Sequence, residues 1–205
     1  MKEKSMKNAN VLKAAVNILK VASALFLMVF NANTASAQDE VIKEHIVNEV
    51  SKWIGADILI KGINSQNSAN AALTQADIDS QDKNWRAEVK SGGGAMTSKV
   101  LANGVSSYLK DILQKSEGLY SEIFVMDNKG LNVGQSDLTS DYWQGDEAKW
   151  QKTYPIGKDA IHIGEVEFDE SSQTYQVQVS LSITDPANGQ VIGAITIGMN
   201  AELIS

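Results

Sequence analysis

The chain has 205 residues, with 18 lysine and arginine residues against 25 aspartate and glutamate residues, and a formal net charge of −7 at pH 7. An acidic protein repels nucleic acid and anionic membrane surfaces, so we expect neither as a partner. The absence of cysteine excludes disulfides and thiolate chemistry but does not identify the compartment.

The first 37 residues have the pattern of a secretory signal peptide. Five lysines precede the apolar stretch from Val21 to Phe30, and Ala35-Ser36-Ala37 forms an A-x-A cleavage motif. We therefore predict export to a bacterial periplasm and a mature chain that begins at Gln38. The alternative is an uncleaved anchor helix, for which the uncharged apolar run is shorter than the roughly 20 residues that a span needs.

The remaining residues, 38–205, suit a single domain. Cleavage removes five of the 18 basic residues and one of the 25 acidic ones, which leaves a mature charge near −11. No later segment, VIGAITIGM included, is long and apolar enough to cross a bilayer, so we expect no stable membrane insertion after cleavage. About 168 residues are enough for one domain with a proper core.

Residues 38–118 are helical in pattern. Apolar residues recur at near-helical spacing from Asp39 to about Asn64, which predicts a long amphipathic helix. Its apolar face needs a cover, either the sheet of its own chain, the same helix of a second copy in a homodimer, or both. A connector with a short helix and a buried Trp85 is predicted over residues 65–90, and a second helix over about residues 97–115.

The glycine run between these helices is not a nucleotide site. Ser91-Gly92-Gly93-Gly94 lacks the G-K-[ST] ending with which a phosphate loop places a lysine and a hydroxyl on the nucleotide. We interpret it as a flexible joint.

Residues 119–205 have the pattern of a sheet. Asp127-Asn128-Lys129-Gly130 separates two apolar runs and predicts a hairpin, because its residues tolerate positive φ. Residues 141–153 break the strand pattern and predict a short helix that stacks aromatic rings. The strand over residues 161–168 changes its apolar phase near Gly164, which indicates a bulge.

The last two strands have the clearest patterns. From Thr174 to Thr184 apolar residues alternate with a polar row, and residues 191–199 are apolar on both faces, which is typical of a central strand. The polar row either lines a wet pocket or faces solvent, and the sequence leaves both open. Its members are Gln176, Gln178, Ser180 and Ser182.

Three motifs in this order point to a known family. D-N-K-G after an apolar strand, the aromatic pair Tyr142-Trp143, and D-P-A-N-G-Q-V-I-G before the last strand together resemble the single Cache domains, or PDC sensor domains, of bacterial extracytoplasmic sensing. The resemblance covers about Asp39 to Met199. It implies an α+β fold: a PAS-like (Cache) antiparallel five-stranded sheet, a long N-terminal helix packed on one face, and a ligand pocket on the other, roofed by the segment between the second and third strands.

The resemblance also implies site residues. Family members typically bind carboxylates, amino acids or amines; in those that bind amino acids an arginine and an aromatic pair hold the carboxylate, and an acid near the later strands holds the amine. Tyr142 and Trp143 align with the aromatic pair and Asp185 matches the acid, whereas Thr-Ser-Asp at residues 139–141 stands where the arginine belongs. Carboxylate capture by a guanidinium is therefore not supported.

The residues around the aromatic pair favour a cationic or zwitterionic amine, because acids beside aromatic rings are how proteins hold amines. Each residue also has a plainer interpretation: Trp143 and Trp150 as core residues, and Asp185 as an ordinary turn residue. The predicted ligand-binding residues are Asp137, Asp141, Tyr142, Trp143, Trp150, Ser180 and Asp185.

The sequence carries no catalytic or metal-binding motif. His45 and His162 have no partner pattern, and neither G-x-S-x-G nor H-E-x-x-H occurs. The acidic residues 137–147 lack the order of a calcium loop. Two carboxylates acting as acid and base, such as Asp141 and Glu165, are not selected by any pattern. We expect no enzyme, no cofactor and no metal.

The predicted function is that of a periplasmic sensor that binds a small-molecule metabolite and signals through a membrane receptor or histidine kinase. The alternative is a ligand-free structural or assembly protein of the cell envelope.

Overall fold

The structure is a computed structural model that describes residues 37–169 and 173–204. The signal peptide predicted for residues 1–37 lies outside the described residues except for Ala37, and it stays a prediction. The chain divides into two compact units, residues 1–44 and 45–205. Of the first unit, residues 37–44 are described, and they are helical. The helices described in both units are too short or too polar to cross a bilayer.

Helices occupy the first half of the described chain. They are α1 (residues 37–48), a short 3-10 helix (Val50–Lys52), α2 (Asp57–Ala69), α3 (Gln75–Lys90), α4 (Ala95–Leu101) and α5 (Gly104–Lys115); a single turn, α6 (Ala148–Gln151), follows later.

The helix predicted over residues 39–64 is divided in two. The chain leaves α1 at residue 49, passes through the 3-10 turn, and starts α2 after Ala56, whose backbone is extended. Gly55 lies in this break; glycine costs roughly 1 kcal/mol relative to alanine inside a helix because its unfolded chain has more freedom to lose.

The predicted connector over residues 65–90 contains a full helix. Thr74 caps α3: its hydroxyl accepts from the backbone nitrogen of Asp77, whose carboxylate in turn accepts from the backbone nitrogen of Thr74. Trp85 on α3 is fully buried, as predicted. The helix predicted over residues 97–115 is likewise divided, because Asn103 caps a new helix, α5, by accepting from Ser106 N at 2.8 Å.

Five strands form one antiparallel sheet in the order β2-β1-β5-β4-β3, which confirms the predicted α+β fold. The apolar strand over residues 191–200 is central, as predicted, and the ladder between β3 and β4 shifts register between Ile163 and Val166, which confirms the bulge. The strands are β1 (Tyr120–Met126), β2 (Asn132–Gln135), β3 (Ile161–Asp169), β4 (Thr174–Thr184) and β5 (Val191–Asn200).

The two faces of the sheet have different covers. Helices α2 and α5 contact β1 and β2, and α2 also contacts β5. On the other face, Phe124, Met126 and Ala194 form a cluster against which Trp150 and Tyr154 pack. Because side chains alternate along a strand, the row that contains Phe124 faces the segment between β2 and β3.

Candidate functional site

The polar row of β4 lines a cavity. Gln176, Gln178 and Ser180 border a space of about 520 Å³ between the sheet and the segment around α6. The sequence left open whether this row lines a pocket or faces solvent, and these three residues line a pocket. Ser182 instead accepts a hydrogen bond from Ala160 N. We call this space the sheet groove; its other polar lining residues are Glu147, Lys149, Lys152, His162, Glu165, Glu167 and Asp169.

A hydrogen-bond network forms the floor of the sheet groove. The carboxylate of Glu122 on β1 accepts from Gln178 Nε2 at 2.8 Å and from Gln176 Nε2 at 3.1 Å. Ser121 Oγ donates to Gln176 Oε1. Ser180, which is fully buried, pairs with Thr196 across to β5 at 3.0 Å. These bonds hold the amides in fixed positions, as a selective polar site requires.

The sheet groove continues toward β2. A second space of about 290 Å³ shares Lys149, Asp169, Gln176 and Gln178 with the first and adds Glu122 and Phe124. Its roof comes from the chain after β2, at residues 138–140 and 144. The two spaces together extend from β3 to β1 along the face of the sheet that carries Gln176, Gln178 and Phe124.

Charges of both signs surround the groove. Lys149 has a side chain only 15% exposed; its ammonium pairs with Glu147 at 2.9 Å and lies 5.4 Å from the centre of the Phe124 ring. Burial, with a smaller contribution from the charge of Lys152, lowers the pKa of His162 below its ordinary 6.5, so its imidazole is neutral at pH 7. The groove can therefore bind an anion at its lysines and a cation at its carboxylates.

Three of the predicted ligand-binding residues are held by α3. Asp82 Oδ1 accepts from the backbone nitrogens of Tyr142 and Trp143 at 2.9 and 3.0 Å. The ring of Tyr142 stacks on Trp85 with centroids 5.3 Å apart. Arg86 binds Asp141 at 2.7 Å and Asp82 at 2.6 Å. Tyr142, Trp143 and Asp141 thus lie outside the lining of the sheet groove.

The remaining predicted residues are spread over the domain. Ser180 lines the groove, and Trp150 lies next to its lining on α6, stacked on Tyr154 at 5.2 Å. Asp137 is exposed and caps its neighbour's backbone nitrogen. Asp185 accepts from Asn64 of α2 at 2.8 Å and from Ala187 N in its own turn at 2.9 Å. Their roles in ligand binding stay predictions.

Sequence reasoning missed most of the charged residues of the groove, although Glu147 belongs to the acidic residues 137–147 that it singled out. Lys149 stands in the irregular segment, where no periodicity marks it, and Glu122 stands on a strand about 55 residues before its amide partners. Arg86 reaches Asp141 from a helix 55 positions earlier, but its guanidinium is paired with Asp82 and Asp141 and lies outside the lining of the sheet groove. The polar row of β4 and the acidic segment that contains Glu147 carried the signal.

Among the residues that the structure describes, no group of three or more His, Asp or Glu side chains could hold a metal ion.

No protein-family model and no curated protein matches this sequence. Solved structures that resemble it include the sensor domain of the Vibrio cholerae (V. cholerae) histidine kinase DctB, with 14% identity, a TM-score of 0.40, and coverage of 84% of this chain and 57% of that chain. The sensory domain of the Campylobacter jejuni chemoreceptor Tlp3 has 14% identity, a TM-score of 0.39, and coverage of 80% and 64%. The Escherichia coli (E. coli) DcuS sensor domain has 19% identity, a TM-score of 0.37, and coverage of 52% and 73%.

This chain therefore spans less than two thirds of the DctB and Tlp3 domains. All three of these neighbours are sensor domains.

Proposed function

We propose that this protein is an exported sensor domain that binds a small metabolite in the sheet groove. The observation that carries the proposal is the lining of that groove, in which lysines, carboxylates and two amides held by Glu122 border the same space. The volume of the groove, about 520 Å³, lies within the usual range of small-molecule sites.

The mixed charges favour a zwitterion such as an amino acid as the ligand. A ligand carboxylate pairs with Lys149 and Lys152, and its amino group pairs with the acids of β3 or with Glu122. A ligand with one charge desolvates the groove residues of the opposite set without pairing with them, which costs free energy. Amines and small organic acids are accordingly expected to bind more weakly than amino acids.

A membrane receptor or histidine kinase is the proposed partner that reads the occupancy of the groove. The proposal rests on the family resemblance in the motifs, and it extends to a periplasmic location and to a homodimer through the N-terminal helix. It assigns no catalysis, because the groove residues show no nucleophile paired with a base.

A thermal-shift screen of the purified protein with amino acids, amines and organic acids tests the proposal. A ligand at about 100 times its dissociation constant adds about 2.7 kcal/mol to the stability of the folded form. The variant Lys149→Met keeps the apolar stem of the side chain and should abolish the shift, whereas the control Lys83→Met, on the exposed side of α3, should retain it.

A screen in which no compound shifts the unfolding temperature would contradict the sensor proposal and favour the envelope-assembly alternative. So would a shift that Lys149→Met leaves unchanged, because the ligand then does not occupy the sheet groove.

A further inference from the structure

A cavity separate from the sheet groove lies on the helix-covered face of the sheet. It measures about 690 Å³ and is bordered by α2, α4, α5 and β2, and it shares no lining residue with the sheet groove. Val100, Val105 and Val133 form its apolar floor, and all three are buried. We call this cavity the helix groove.

The hydroxyl of Tyr142 has no partner in this cavity. Tyr142 is 6% exposed and lines the helix groove beside Gln66 and Asn70, and its hydroxyl makes no hydrogen bond to any residue within 37–169 or 173–204. The hydroxyl is not among the fully buried polar atoms that lack a partner, so it reaches the space of the groove. The unused donor is therefore available to a bound molecule.

The protonation state of this hydroxyl is settled by its surroundings. Burial, together with the charge of Asp127, raises the pKa of Tyr142 well above its ordinary 10.0. The carboxylate of Asp127 is itself held by Gln66 and Asn70 at 3.1 and 2.9 Å. Tyr142 is thus a neutral donor at every physiological pH, fixed in place by its stacking on Trp85.

The charge of the helix groove is opposite to that of the chain. Lys61 and Lys99 line it, and its described lining contains no carboxylate, although the chain carries a net charge of −7. Lys61 pairs with Asp57 at 2.9 Å, but both side chains are largely exposed, and such a surface pair is weak enough for a ligand anion to replace.

We propose that the helix groove is a second binding site, for an amphipathic carboxylic acid. The apolar body lies on the valine floor, the carboxylate lies at the two lysines, and the hydroxyl of Tyr142 donates to an oxygen elsewhere on the ligand. The size of the cavity and its apolar floor match those of sites for small organic ligands. This proposal stands apart from that for the sheet groove and does not depend on it.

Titration calorimetry with the purified protein tests the site, with 5-oxo-5-phenylpentanoate as the probe. This compound has an apolar ring, a ketone oxygen and a carboxylate. The double variant Lys61→Gln/Lys99→Gln should weaken its binding about tenfold, because each exposed ion pair contributes up to about 1 kcal/mol. The matched control Lys83→Gln/Lys90→Gln removes two exposed lysines of α3 outside the groove and should leave the affinity unchanged.

Tyr142→Phe tests the hydroxyl without removing the ring that stacks on Trp85. It should weaken the keto acid about threefold to tenfold, the range of one neutral hydrogen bond, and leave 5-phenylpentanoate, which lacks the ketone, unaffected. In methyl NMR spectra the probe should shift the signals of Val105 and Val133.

Three results would overturn the proposal: no binding of the keto acid, equal binding to the lysine double variant, or methyl shifts confined to residues of the sheet groove. Loss of binding in Lys149→Met together with full binding in Lys61→Gln/Lys99→Gln would place the probe in the sheet groove instead.

Discussion

The indole nitrogen of Trp150 lies 3.2 Å from the backbone oxygen of Asp127, to which it donates a hydrogen bond. Trp150 belongs to α6, and the preceding residue of that helix, Lys149, lines the sheet groove. The fully buried side chain of Asp127 accepts from Gln66 and Asn70 of α2. Asp127 therefore connects α6, which borders the sheet groove, to helix α2 on the opposite face of the sheet.

Asp127→Asn should destabilise the protein by about 3 kcal/mol. The carboxylate accepts from the backbone nitrogens of Lys129 and Leu131 at 2.8 and 2.9 Å and from the amides of Gln66 and Asn70. An asparagine carries an NH2 group in place of one carboxylate oxygen, so this group faces N–H donors that it cannot accept from. Buried donors are then left unpaired, and each costs about 1–3 kcal/mol. Urea unfolding measures the loss.

The control for this change is Asp137→Asn on the exposed loop, which should alter the free energy of unfolding by less than about 0.5 kcal/mol. Equal effects of the two substitutions would show that Asp127 does not hold the hairpin to α2.

Gly130→Ala should destabilise the protein by more than Gly189→Ala. Both glycines have positive φ, 82° and 73°, so alanine meets a similar backbone penalty of about 1–2 kcal/mol at each position. A Cβ at residue 130 would lie 2.6 Å from the backbone of Gly145, whereas nothing lies within 4 Å at residue 189. The free energies of unfolding of the two variants are compared. The difference between them measures how closely the hairpin at Gly130 approaches Gly145. Equal losses would contradict that contact.

Stability should fall as the pH drops below about 6.5, in part because of His45. Its Nε2 lies 2.6 Å from the hydroxyl of Tyr120, and burial lowers the pKa of His45 below 6.5. The unfolded chain then binds the proton more readily than the folded chain. The contribution of neutral His45 is fully present above the unfolded pKa and is lost as the pH falls toward the folded pKa.

Urea unfolding at about pH 7.5 and about pH 5.5 measures this effect, in a window around the unfolded pKa of histidine. His45→Gln should reduce the difference between the two pH values, and His162→Gln serves as the comparison, because burial also lowers the pKa of His162. An unchanged difference in His45→Gln would exclude His45 as a source.

Asn103→Ala should cost about 1–2 kcal/mol of unfolding free energy. Asn103 caps α5 through Ser106 N and also donates to the backbone oxygen of Val133 at 2.8 Å. The change therefore removes a cap and a tie between α5 and β2 together. Asn103→Ser restores the cap but is too short to make the same bond to β2, and it should recover only part of the loss.

Local patterns were sufficient for most of the sheet. The alternation along residues 174–184, the turn at residues 127–130 and the phase change near Gly164 each depend on neighbours within a few positions, and the structure confirms all three. The helix boundaries were harder, because a cap such as Asn103 contributes only about 1 kcal/mol and competes with a continuing apolar stripe. The capping pair Thr74 and Asp77 was readable but was missed.

The amino-acid sequence alone determined the set of strands and the polar row that borders the sheet groove, because side-chain alternation is a property of a single strand. The tertiary structure decided which residues face that row and which face the aromatic pair. Glu122 meets Gln178 only through the strand order β1-β5-β4, and Tyr142 meets Trp85 only because the chain after β2 packs against α3. Such contacts join residues more than 50 positions apart, and they depend on burial and hydrogen bonding summed over the whole domain, which no local pattern records.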